Sequence, residues 1–162
     1  MGRWRPAPPK SSPYITGEGF TALQQELEGL WLRRRDVVKA LAAAAAEGDR
    51  SENAEYIYRK KELGGIDYRI RYLQKRLPAL KVVRDTPAAD KIYFGATVEV
   101  SDEQGTIKTL RIVGPDETDP ANSAISMDSP LARALLGKSI DDDVKLAING
   151  QAASYAVLSI RY

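Results

Sequence analysis

Two series of positions in this chain mirror one another. The first runs Phe20, Leu23, Leu27, Leu30, Arg34, Val37, Leu41 and Ala44, and the second Tyr56, Arg59, Leu63, Ile66, Ile70, Leu73, Leu77 and Leu80. Each advances by alternating steps of three and four, the spacing of a coiled-coil seam. Taken in opposite directions they pair about residue 50: Ala44 with Tyr56, Leu41 with Arg59, Val37 with Leu63, Leu30 with Ile70, Phe20 with Leu80. That mirror predicts an antiparallel helical hairpin whose turn is Gly48 to Glu52. Arms of about 30 residues reach roughly 45 Å at the helical rise, longer than a small domain needs in order to close a core. A projecting arm needs a use.

The arms carry local signals of their own. Thr16 is placed to cap the first helix, with acidic Glu18 in its first turn. The run Ala42 to Ala46 has the strongest helix propensity available and lets a partner helix approach closely. Arg34 and Arg59 occupy seam positions and must carry their charges outward. Gly64-Gly65 interrupts the second arm at about 1 kcal/mol per glycine, which predicts a bend or the close approach of another backbone. Pro78 predicts a kink or an end.

Composition narrows the chemistry. The chain has no cysteine and no histidine. Disulfides, thiol and imidazole nucleophile systems and ordinary zinc sites are excluded. Metal chemistry would have to run on carboxylates and carbonyls, which favours magnesium, calcium or manganese. No apolar run approaches the ~18 residues of a membrane span, and MGRWRPAPPKSSP at the start lacks the apolar core of a signal peptide. The expectation is a cytoplasmic protein with a disordered, basic, proline-rich tail over 1–13. Residues 1–83 carry 16 Lys/Arg against 10 Asp/Glu, and residues 84–162 carry 8 against 12. A basic half joined to an acidic half points to two modules with different partners.

The second half changes period. Residues 84–92, RDTPAADKI, read as a linker between a coiled-coil domain at 14–83 and a second domain at 93–162. Ala96 to Val100 and Thr106 to Val113 alternate as strands around the turn 102–105, and Ala124 to Met127 is a third short strand. Ser129 caps a helix with Pro130 in its first position and a stop at Gly137. Val144 to Ile148 and Ser154 to Ile160 form a hairpin across Asn149-Gly150. The predicted class is α+β: a long antiparallel coiled-coil hairpin, then a small domain with an antiparallel sheet and one helix.

At the turn, EGDRSENAEYIY places Asp49 and Glu52 three apart. Such a pair can help hold magnesium when another body supplies the rest of the shell, as in two-metal hydrolysis. Asp-x-x-Glu is equally a helix-start signature, with Asp49 or Ser51 as the cap and Glu52 in the first turn. The bases Arg50, Arg59, Lys60, Lys61, Arg69, Arg71, Lys75 and Arg76 gather on the second arm. They read either as a phosphate-facing stripe or as the solvated face of a coiled coil.

Over nearly all of the chain after the tail, the sequence resembles the Gre family of bacterial transcript-cleavage factors. The resemblance rests on GDRSENAEY, on Tyr58 with Lys60 and Lys61, and on IDYRIRYL, YFGA, RIVG and ISMDSPLARALLGK. Arg50-Ser51 and the basic run behind them favour the GreB branch. The resemblance implies a monomeric factor that is no enzyme itself. It binds RNA polymerase, passes its coiled coil through the secondary channel and stimulates cleavage of the 3′ end of backtracked RNA. Asp49 and Glu52 are then the acids that assist a magnesium ion shared with the polymerase, with no cofactor of the chain's own. Arg50, Arg59, Lys60, Lys61, Arg69 and Arg71 are the implied RNA-facing bases. Asp128, Ser129 and Pro130 match a segment implicated in docking the FKBP-like second domain on polymerase. Two alternatives belong beside this one: a channel regulator that does not stimulate cleavage, and a coiled-coil adaptor with no polymerase contact. A free-standing nuclease has too few groups here.

Overall fold

The computed structural model describes residues 10–49 and 52–162. Most of the expected tail, residues 1–9, and Arg50 and Ser51 at the turn lie outside them. The chain divides into two compact units, one over Glu18–Leu80 and one formed by residues 10–17 with Lys81–Tyr162.

The first unit is the predicted hairpin. Helix α1 covers Gly17–Ala45 and helix α2 covers Ala54–Arg76. Val37, Ile66 and Ile70 are buried between them, with Leu27, Leu30 and Leu63 packed alongside, so the apolar seam positions close the pair. Leu23, Ala44 and Leu73 are buried as well. The seam arginines do bring their charges out, each to a carboxylate. Arg34 Nε donates to Asp67 at 2.7 Å, while Arg59 bonds Glu55 and Glu62 at 2.8 and 2.9 Å. Arg33 reaches Glu62 at 2.6 Å and Arg69 reaches Glu26 at 2.8 Å across the pair. These cross-helix links set the antiparallel register.

Glu62 is the hub of one such set. Hydrogen bonding by Arg33 first, and by Arg59 with it, holds its carboxyl below the usual carboxylate range. A carboxyl depressed by folding stabilises above its unfolded pKa and loses that contribution as pH falls through the folded value. Thermal melts of the chain below about pH 4.5 should therefore show a falling Tm, and Glu62→Gln should flatten that acid limb.

Helix α2 runs unbroken through Gly64 and Gly65. A Cβ built on either glycine meets nothing within 4 Å, so no described residue needs their bareness. Gly64→Ala and Gly65→Ala should each stabilise the hairpin by about 1 kcal/mol, read as a raised Tm. Pro78 behaves as expected: α2 stops at Arg76 and a single 3-10 turn, Leu77–Ala79, carries the proline.

In the second unit the core sheet has the order β5-β4-β3-β7-β6. Its strands are β3 (Thr97–Asp102), β4 (Ile107–Val113), β5 (Ala124–Ser126), β6 (Asp143–Ile148) and β7 (Gln151–Arg161). The sheet is antiparallel except at its edge, where β5 lies parallel to β4. Asn149 and Gly150 both take positive φ in the β6–β7 turn, the backbone that a two-residue hairpin requires. Helix α3, Pro130–Leu135, starts at Ser129, whose side chain accepts from the Ala132 amide. Ala132 and Leu135 join Val98, Val100, Ile112, Val144 and Val157 in the core.

The compact units part at Gly17/Glu18 and Leu80/Lys81, inside the coiled-coil domain expected at 14–83. Strands β1 (Tyr14–Thr16) and β2 (Lys81–Val83) pair in parallel and belong to the second unit, not to the coiled coil. Ile15 is fully buried, and the Thr16 amide and hydroxyl both donate to Glu117, the amide at 2.8 Å. The Thr16 hydroxyl, expected as a helix cap, donates to a carboxylate 101 residues away. Ile92, assigned to the linker, is fully buried in the core, its amide bonded to the Lys138 carbonyl. A linker was expected over RDTPAADKI, where Ile92 is the one large apolar residue and too little to show core.

Candidate functional site

The hairpin turn lies between Ala45 and Ala54. Gly48 takes φ +125°, a bend that other residues avoid. Asp49 and Glu52 are both exposed. The cap of α2 is neither of them. Asn53 accepts from the Tyr56 amide through its side-chain oxygen at 3.1 Å, and its side-chain nitrogen donates to the Ala44 carbonyl at 2.8 Å. One amide side chain therefore starts the second helix and ties it to the last turn of the first. The expectation that Asp49 caps α2 is corrected, and Ser51 falls outside the described residues. Sequence reasoning passed over Asn53 because Ser, Asp and Asn crowd the turn and any of them can cap. Glu52 makes no hydrogen bond or ion pair with the described residues.

Two carboxylates leave most of an octahedral magnesium shell to be filled from elsewhere. Among the described residues no group of three or more acids gathers that could hold a metal ion. The tip presents two exposed carboxylates. It can offer oxygen ligands, or acceptors for a water, to an ion held by another body.

Models of two families cover the chain almost end to end: "Transcription elongation factor, N-terminal" over residues 13–82, and "Transcription elongation factor, GreA/GreB, C-term" over residues 86–162. The chain belongs to the GreA/GreB family of transcription elongation factors. It is 55% identical to the transcription elongation factor GreB of Xanthomonas axonopodis pv. citri, over 100% of this chain and 98% of that one. It is 54% identical to GreB of Yersinia pestis, over 93% and 90%. Among solved structures it is similar to the GreA factor homolog 1 (Gfh1) protein of Thermus thermophilus, at 25% identity, 92% and 98% coverage and a TM-score of 0.42.

For a GreA/GreB chain the basic residues of α2 fall into distinct sets. Arg50 lies outside the described residues. Arg59 and Arg69 are committed to glutamates, and each also stands over a tyrosine ring, Tyr58 at 5.3 Å and Tyr72 at 5.2 Å. Lys60, Lys61 and Arg71 are exposed and form no ion pair with the described residues. Of the six expected RNA-facing bases, these three keep their charge available.

The expected docking segment has local duties as well. Asp128 receives the Ser12 amide at 2.9 Å and the Ser12 hydroxyl at 2.5 Å, so it fastens the N-terminal segment. Ser129 is the α3 cap and Pro130 its first residue. Pro130 is exposed.

Proposed function

We propose that this GreA/GreB chain is a non-enzymatic factor that binds RNA polymerase in the cytoplasm. The hairpin enters the secondary channel, and the tip promotes the polymerase's own cleavage of backtracked RNA. Asp49 and Glu52 act from outside the chain's cores. They supply oxygen ligands toward a magnesium ion that the polymerase holds, and they orient the water that attacks the phosphodiester. The ion, when present, supplies the Lewis acid that stabilises charge at phosphorus. Lys60, Lys61 and Arg71 attract the extruded RNA strand through its phosphates. Pro130 and its neighbours offer a docking surface on the second unit, and the factor works as a monomer.

The observation that supports this reading is the division of labour at the tip. Asn53 caps α2 and bonds the Ala44 carbonyl, so the helix cap is neither of the two exposed acids. A carboxylate pair exposed at the turn of a long hairpin fits delivery to a partner. The test is release of short RNA fragments from the 3′ end in stalled, backtracked complexes, with and without the purified chain. Fragments that appear only with the chain and magnesium support the reading. Slowed synthesis without fragments would make it a channel regulator instead.

A further inference from the structure

One pair of hydrogen bonds joins the start of the described chain to the expected docking segment. Ser12 donates its amide to Asp128 Oδ2 at 2.9 Å and its hydroxyl to Asp128 Oδ1 at 2.5 Å. Both residues belong to the second unit, and both are half-buried. Little of this pair is needed to hold the N-terminal segment, which has firmer ties from Pro13 onward. The Lys81 amide donates to the Pro13 carbonyl at 2.7 Å, and β1 pairs with β2 from Tyr14. Ile15 is fully buried and Thr16 is bonded to Glu117. Ser12 stands outside that set, ahead of the first strand residue.

Asp128 has the greater use for the contact. Its backbone is fixed already by bonds on both sides. Met127 donates its amide to the Val113 carbonyl at 2.8 Å, Asp128 to the Ser126 hydroxyl at 3.0 Å, and Ser129 to the Ser126 carbonyl at 3.0 Å. Ser129 then caps α3 and Pro130 opens it. Backbone bonds do not choose a side-chain rotamer, and an aspartate has several staggered ones open to it. Two donors from one residue, one to each oxygen, fix both the direction and the plane of the carboxylate. Charge-assisted bonds of this kind are the strong ones. Each carboxylate oxygen accepts more than one bond, so a carboxylate held this way can still receive a donor from another molecule.

We infer that Ser12 is a positioning residue for docking: it presets the Asp128 carboxylate for a cationic group, arginine or lysine, on the surface of RNA polymerase. The inference rests on the proposed function for the docking role of residues 128–130, and it names the residue that aims one of them. A carboxylate oriented before contact loses little side-chain freedom on binding, and opposite charge speeds the encounter and sets its register. Serine and threonine are the side chains that carry a hydroxyl on Cβ, so threonine can repeat the paired contact and alanine cannot.

Titration of the fluorescently labelled full chain with core RNA polymerase, read by anisotropy, tests the assignment. Ser12→Ala should weaken binding about fivefold, the size of one side chain's ordering cost, and Ser12→Thr should restore it. Asp128→Ala should weaken binding more, since charge and acceptor both go. Adding Ser12→Ala to Asp128→Ala should then change little, because Ser12 has nothing left to aim. In stalled complexes Ser12→Ala should raise the concentration of chain that gives half-maximal cleavage and leave the rate at saturation unchanged. Hydrogen exchange at Ile15 and Thr16 should match the parent, since Pro13 and β1 keep their bonds. Parent-like affinity in Ser12→Ala would overturn the inference, and so would losses from Ser12→Ala and Asp128→Ala that simply multiply. A weakened Ser12→Ala chain that has also lost protection at Ile15 would overturn it too, making Ser12 a fastener of the strand. Binding that follows Ser12 and Asp128 while the bound chain releases no fragments sinks the cleavage reading and leaves the positioning role standing. A parent chain with no affinity for polymerase ends both.

Discussion

Replacing both tip carboxylates, Asp49→Asn with Glu52→Gln, is expected to cut stimulated RNA cleavage roughly a hundredfold or more. That is the order seen when a charge-stabilising group is taken from a hydrolytic site. The change keeps shape and most hydrogen-bonding capacity but removes two negative charges from exposed positions, so the helical content and Tm should stay near those of the parent chain. Binding to polymerase, measured by competition with the parent, should change little. Asn53→Ala is the contrasting variant. It removes the α2 cap and the bond to the Ala44 carbonyl together, and about 1 kcal/mol or more of hairpin stability should go with them. Its cleavage defect should shrink on cooling, because it acts through order at the turn and not through charge. Full cleavage by the double carboxylate variant would end the proposed mechanism. A loss of polymerase binding equal to the loss of cleavage would reassign the acids to docking.

The second large effect is expected far from the tip. Gly114 has φ −69° and ψ 159°, a backbone that alanine adopts without strain, yet it has no room for a side chain. A Cβ there would lie 2.1 Å from the Tyr14 carbonyl oxygen and 3.0 Å from the Glu117 carboxylate. That carboxylate also holds the Thr16 and Gly114 amides at 2.8 and 2.9 Å. Gly114→Ala must push β1 off its seat, exposing Ile15 and breaking the Thr16 bonds. The expected cost is about 3 kcal/mol. Hydrogen exchange should show lost protection at Ile15 and Thr16, with the core sheet less affected. Unchanged protection there would mean that β1 contributes little to the unit.

Much of this architecture was readable in the residues, for physical reasons that can be named. The hairpin was legible because a seam at steps of three and four has one geometric solution, and its mirror image fixes direction. The core strands were legible because Val98, Val100, Ile112 and Val157 alternate with polar neighbours, and Asn149-Gly150 has few backbone conformations besides the turn it makes. Strands β1 and β2 were not. Each is three residues long, too short for any period, and their fixing partners Glu117 and Asp128 lie more than a hundred residues from Thr16 and Ser12. At the tip, the acids were visible but the identity of the α2 cap was not, because Asn53 competes with Asp49 under the same rule. Arg33, Arg34 and Arg35 stand side by side in the sequence. Only coordinates separate those arginines, by pairing Arg33 and Arg34 with α2 carboxylates and leaving Arg35 exposed.

The split origin of the second unit has a consequence for how the chain comes into being. Its first strand is synthesised before the hairpin, and its other strands after it. The hairpin's links, such as Asn53 to Ala44, join near neighbours in sequence, whereas Ser12 waits for Asp128 across 116 residues. Local contacts form first and distant ones late. During synthesis the coiled coil can therefore zip as soon as α2 leaves the ribosome, while Ile15 stays in water until Gly114 and Glu117 have emerged. The last act of folding is the return of the chain's beginning to its end.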